Sequence, residues 1–505
     1  MTNVTPWLIA GGNGPLPLTA ARPSPFMRIG WPACQGVGKS PRLAYLGHQR
    51  RTRRGVHVIT ENSERVDDAT TGSASGELTY QSGLGNELET EAIPGTLPVG
   101  QNSPQRVPHG LVSELVSGTT FTAPRAHNRR SYVFRIRPSV VHGRFEQIDG
   151  GNLRTPPFDA PPSPNNYCWG PFTSTASDDD FIDGMATLCG NGSPHSQSGM
   201  AVHVYAATRS MHDRVFADTD GEMLIIPQTG RIRIFTEMGK LDLRLGEVAV
   251  IPKGLKFRVD LLDDSATGLV CENFGLPLRL PELGLIGTNG LANVADFEIP
   301  VAAFEDQERP VQLVHKFAGN LWAASLEHSP LDVVGWRGSL YPFKYDLDRF
   351  VPMGPLSVDH PDPSIFTFLT SPSDPILGPN MDVMALTPRW LVAERSFRPP
   401  GYHRNCVGEF SIFLAGEFGK ALEPGSTTLT NNWTPHGPGT RTLEMARAME
   451  LSPQKVEDQK ILLLESRFPM QLTQFADVMP QVSNYAAQWE GFTKRLGTQE
   501  GIQIR

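Results

Sequence analysis

Apolar residues in this chain recur with a period of two, in short runs cut by glycine and proline. The segments 132–137 (YVFRIR), 231–235 (RIRIF) and 256–260 (KFRVD) all alternate. Alternation puts every second side chain on one face of an extended backbone, so each run predicts a half-buried β-strand. Few segments carry a helical period; 441–450 (RTLEMARAME) and 483–492 (SNYAAQWEGF) are the candidates. With 49 Gly and 44 Pro among 505 residues, turns must be frequent. The pattern predicts a mostly β architecture with peripheral helices.

Bulk properties narrow the function classes. A chain of 505 residues can hold two to four domains. A net charge of −8 argues against nucleic acid or an anionic membrane surface as partner. No apolar run approaches the ~18 residues a spanning helix needs. Five cysteines (Cys34, Cys168, Cys189, Cys271, Cys406) are scattered without a C-x-x-C pair, which points to reduced thiols in a cytoplasmic protein. The first 60 residues hold no acid but carry Arg22, Arg28, Lys39, Arg42 and Arg50 among their basic residues, and 67–76 (DDATTGSASG) has linker composition. Residues 1–76 are therefore expected to be a disordered leader, either a transit peptide or non-native sequence.

The candidate chemistry lies late in the chain. Residues 403–416 read HRNCVGEFSIFLAG, that is H-x-N-x3-E-x6-G, and His436 follows within TPHGP. Two imidazoles and one carboxylate, His403, Glu409 and His436, make the set that holds Fe(II) on one face and leaves positions open for substrate and O2. The stretch resembles the first metal motif of a cupin barrel, with Asn405 where a second histidine is usual. A thiolate from Cys406 would close such an open site, so Cys406 is expected to be a bystander. Earlier, 246–254 (GEVAVIPKG) resembles the second cupin motif, but Phe257 stands where its histidine belongs, and His203 and His212 are wrongly spaced. The expected fold is a mostly β, jelly-roll-like bicupin. A metal-free N-terminal β domain would cover 77–325 and an iron-bearing C-terminal barrel 326–505.

A wider resemblance joins these pieces. The stretches 83–87 (GLGNE), 97–105 (LPVGQNSPQ), 134–139 (FRIRPS), 279–287 (RLPELGLIG), 359–367 (DHPDPSIFT) and 398–405 (RPPGYHRN) are collinear. From about Leu78 onward the chain is similar to the homogentisate 1,2-dioxygenase family. That resemblance implies Fe(II) on His403, Glu409 and His436 and a hexameric assembly. It also implies a reaction of homogentisate with O2 to maleylacetoacetate, in tyrosine and phenylalanine catabolism. It further implies substrate-facing groups at Arg337, Asn405, Phe418 and Thr430. At three of these the chain departs from the implied pattern: Arg337 replaces an acid/base histidine, Phe418 a tyrosine and Thr430 a histidine. A guanidinium cannot accept a proton near neutrality, and a phenyl ring makes no hydrogen bond. Two alternatives therefore stand beside homogentisate turnover: a paralogue opening a different hydroquinone or aromatic acid, and an iron-binding bicupin without turnover.

Overall fold

The computed structural model describes residues 77–173, 178–282, 291–352, 354, 357–358, 366–418 and 422–496. The expected leader, 1–76, and Cys34 lie outside the described residues.

The alternating runs form strands where the pattern placed them: Arg130–Arg135, Ile232–Thr236 and Phe257–Leu261. Of the two helical candidates, Thr440–Ala448 is an α-helix. The second shrinks to a short 3-10 segment, Tyr485–Trp489. Asn484 enters it in the left-handed region (φ 56°) and Gly491 leaves it at φ 72°, so the α geometry has no room to propagate.

The fold is mostly β with a bicupin layout. In the N-terminal half a nine-stranded and a seven-stranded sheet share an apolar core. Phe257 is fully buried there, edge-on to Phe216 and Phe181. Its ring occupies the position at which the second cupin motif would carry a histidine.

The strands Val333–Gly338 and Phe343–Asp346 were expected to belong to a C-terminal domain beginning at 326. The first instead pairs with Leu88–Glu91 and Arg130–Arg135 in a four-stranded sheet. The second lies between Phe297–Pro300 and Glu247–Ile251 in the nine-stranded sheet. Backbone pairing thus carries the N-terminal half to about residue 346.

The C-terminal half is built on a six-stranded sheet, ordered Thr367–Ser371, Met381–Leu386, Lys460–Ser466, Gly408–Ala415, Thr427–Thr430 and Tyr167–Trp169. Its last strand comes from the N-terminal half. In return Gln471–Leu472 closes the edge of the nine-stranded sheet beside Met185–Ser193. Side chains reinforce the exchange. The Trp169 indole N–H donates to the Ala476 carbonyl at 3.0 Å, and the Asn191 amide to that of Phe468 at 2.8 Å.

Candidate metal centre

Along Gly408–Ala415 the burial alternates: Phe410, Ile412 and Leu414 face the core, while Glu409, Ser411 and Phe413 face the other way and are half-buried. The second face carries the chemistry. Glu409 is paired directly with Thr430 on one side and Glu465 on the other, Glu465 with Asp382, and Asp382 with Thr370. Thr370 in turn bridges Arg279. Directly paired residues project to the same face, so one polar row crosses the sheet from Arg279 to Thr430.

His403 and His436 reach this row from the two flanking loops. Their backbones form a two-residue antiparallel bridge, each N–H donating to the other's carbonyl at 3.0 Å. The ring centroids are 4.1 Å apart. Nδ1 of His403 lies 2.8 Å from the Gly401 carbonyl, and Nδ1 of His436 lies 3.0 Å from the Thr434 carbonyl. A carbonyl can only accept, so each Nδ1 carries a proton and, in the neutral ring, each Nε2 presents a lone pair. These face Glu409 Oε1, at 3.4 Å from His403 and 3.2 Å from His436. His436 Nε2 is buried and makes no hydrogen bond despite that approach. A donor set converging within 4.8 Å, with an orphaned lone pair aimed at its centre, fits a cation.

Electrostatics agree with that geometry. Burial works to raise the Glu409 carboxyl, but His403 and His436 outweigh it and hold the group well below the usual carboxylate range. The His403 imidazole is raised, chiefly through its interaction with Glu409. Both shifts reflect imidazolium N–H groups turned to the carboxylate, the place a bound cation would take.

The remaining expected site residues divide. Asn405 donates its amide to Glu409 Oε1 at 2.5 Å, so it orients a ligand rather than facing the substrate side unencumbered. Thr430 sits beside Glu409 and donates to Asn166 Oδ1 at 2.7 Å. Phe418 packs edge-on against Phe413, with centroids 4.9 Å apart, at the far end of the face that Glu409 occupies. Arg337 does not join them. It lies in the four-stranded sheet of the N-terminal half, paired with Glu89, and its Nε is 3.5 Å from the Glu89 carboxylate. The strand that carries it is held by two neighbours, Leu88–Glu91 and Arg130–Arg135. Cys406 is exposed, and its carbonyl accepts from Asn432.

Sequence reasoning missed Glu465 and Asp382. Both sit at polar positions within apolar alternation (LLLES and MDVMA), the signal that would place them on Glu409's face. It also missed a charge cluster inside the N-terminal half. There the Lys316 ammonium lies 2.5 Å from Glu272 and 2.9 Å from Asp220, and His203 Nε2 lies 3.2 Å from Glu272. Asp218, Asp220 and Glu272 could by position hold a metal ion, but Lys316 already supplies a cation to two of them.

The homogentisate 1,2-dioxygenase N-terminal family model matches residues 79–347, and the corresponding C-terminal model matches 348–496. The chain belongs to the homogentisate 1,2-dioxygenase family. The dioxygenase family model divides where the pairing of Phe343–Asp346 does. Membership makes this a dioxygenase-type enzyme. Similar solved structures include a cupin 2 conserved barrel domain protein from Leptotrichia buccalis, 10% identical with TM-score 0.25 over 58% of this chain and 91% of that one. YlbA from E. coli is 8% identical, with TM-score 0.27 over 61% and 95%. A deletion mutant of Bacillus subtilis oxalate decarboxylase is 12% identical, with TM-score 0.24 over 61% and 88%. At these scores none of them bears on what this chain does.

Proposed function

We propose that His403, Glu409 and His436 hold one Fe(II) and that the protein is a ring-cleaving dioxygenase of the homogentisate type. The observation that carries this is the pair of Nε2 atoms facing one carboxylate oxygen, with both Nδ1 atoms against carbonyls. Fe(II) on such a set supplies open positions at which a ring hydroxyl and O2 can both bind, the requirement for inserting oxygen into an aromatic ring. The protein's own groups do the rest. Asn405 fixes the Glu409 carboxylate, and Thr430 sets a hydroxyl beside the ligand. Homogentisate is the substrate the family indicates, with maleylacetoacetate as product; a cytoplasmic homo-oligomer, a hexamer by resemblance, is the expected form.

A second reading has one observation in its favour. Phe418 and the Asn166-bonded Thr430 put no proton acceptor of imidazole type on this face. A related hydroquinone that needs no such acceptor would suit them better than homogentisate. The test is anaerobic loading with Fe(II), followed by O2 uptake with homogentisate and a panel of substituted hydroquinones. Stoichiometric iron and rapid uptake with one of them are expected. Tight iron binding with no uptake for any member would reduce the protein to an iron-binding bicupin.

A further inference from the structure

Away from the metal centre, a cavity of about 380 Å³ opens in the N-terminal half. Its apolar wall is made by Leu278, Leu280, Leu340 and Phe343. Its charged and polar groups are His127, Arg129, Arg279, Glu222 and Glu282, with Tyr341 beside them. Two arginines and two carboxylates thus meet at its surface.

The cations here are poorly matched by the protein. Among the described residues, the Arg129 guanidinium has no hydrogen bond or ion pair. Arg279 has a buried Nε with no partner. One of its terminal nitrogens donates to the His127 ring at 3.1 Å, and the other is 3.4 Å from Glu282, whose side chain is 88% exposed. The Arg279 backbone is fixed by two hydrogen bonds to Thr370, at 2.9 and 2.7 Å, so the guanidinium is mounted on a paired strand position. Glu222 feels the Arg129 charge but, among the described residues, makes no ion pair with either guanidinium. Its Oε2 accepts from the Leu278 N–H at 2.7 Å and from the Asn273 amide, and burial pushes the carboxyl up to about 7.

We propose that this cavity is a binding site for a small organic acid, its carboxylate held by Arg129 and Arg279 and its apolar body against Leu278, Leu280, Leu340 and Phe343. A planar guanidinium matches a carboxylate bidentately, and a buried N–H without a partner gains most from one. The apolar wall selects against inorganic anions, which would leave it bare. The site rests on none of the iron ligands and is distinct from the reaction proposed above.

Calorimetric titration of the full-length protein with phenylacetate, a carboxylate on an apolar ring, tests it. One binding event is expected. It should persist unchanged in His436→Ala, which disables the metal centre, and weaken at least tenfold in Arg129→Gln and in Arg279→Gln. Arg129 makes no structural contact with its guanidinium, so its variant should melt with the parent. Inorganic phosphate should bind at least tenfold more weakly than phenylacetate. Binding that survives Arg129→Gln undiminished, binding lost in His436→Ala, equal affinity for phosphate, or no binding at all would each overturn the proposal.

Discussion

Glu409 Oε1 receives three neighbours at once: the Asn405 amide and the two imidazole nitrogens. Replacing any of His403, Glu409 or His436 with Ala should remove stoichiometric Fe(II) and O2 uptake together, as read by metal analysis and an oxygen electrode. Asn405→Ala leaves all three ligands but frees the carboxylate to rotate. A lost orienting partner typically costs about 10- to 100-fold in metal affinity, so iron should bind but be stripped by a weak chelator that leaves the parent loaded. Arg337→Gln, by contrast, alters a group held against Glu89 and should change kcat/KM less than about threefold; a hundredfold drop would return Arg337 to the reaction. The imidazole of His203 belongs to a different balance. Burial, aided by Lys316, pushes its pKa down to about 3 from an ordinary value of 6.5. The unfolded chain therefore takes up a proton between those values that the folded one refuses. Stability should fall as pH drops through that window, by at most about 1.4 kcal/mol per pH unit. Denaturant titrations at pH 7.5 and 5 would measure the slope, and His203→Asn should flatten it.

Single strands show where the sequence was informative. The ligand motif and the strand Gly408–Ala415 were legible because alternation and ligand spacing lie within one hairpin's length. Thr430 was singled out by the resemblance alone; its direct pairing with Glu409 is a finding of the structure. Arg337 could not be placed, because its strand joins partners from the first sixty described residues, and nothing local in GWRG records that pairing. Glu465 and Asp382 show as polar positions in their own strands, but their pairing with Glu409's strand spans long loops and could not be read. The Lys316 cluster gathers side chains from separate strands. Burial alone would push its ammonium down, but Glu272, Asp218 and Asp220 outweigh it and hold it charged. Lys316→Met would strand buried carboxylates without their cation. The expected cost is on the order of 3–5 kcal/mol, visible as a lower melting temperature with the metal centre's residues untouched.

For the whole molecule, the traded strands decide how it holds together. Tyr167–Trp169 completes the C-terminal sheet, and Gln471–Leu472 completes the nine-stranded one. Both halves feed one continuous apolar core that includes Trp169, Leu224, Phe410 and Leu464. Thermal unfolding should therefore show one transition by calorimetry, and a chain ending at Phe468 should lose cooperative folding in both halves. Two separate transitions would contradict this. The trade also has a cost in time. A ribosome delivers residues in order at roughly 5–20 per second. The edge strand Met185–Ser193 thus emerges long before residues 471–472 exist to cover it. For an interval on the order of tens of seconds the nascent chain carries an open, largely apolar sheet edge, which is a template for sticking to its neighbours. Yield in the cell should accordingly depend on how quickly residues 194–472 are made and on what shields the edge until then.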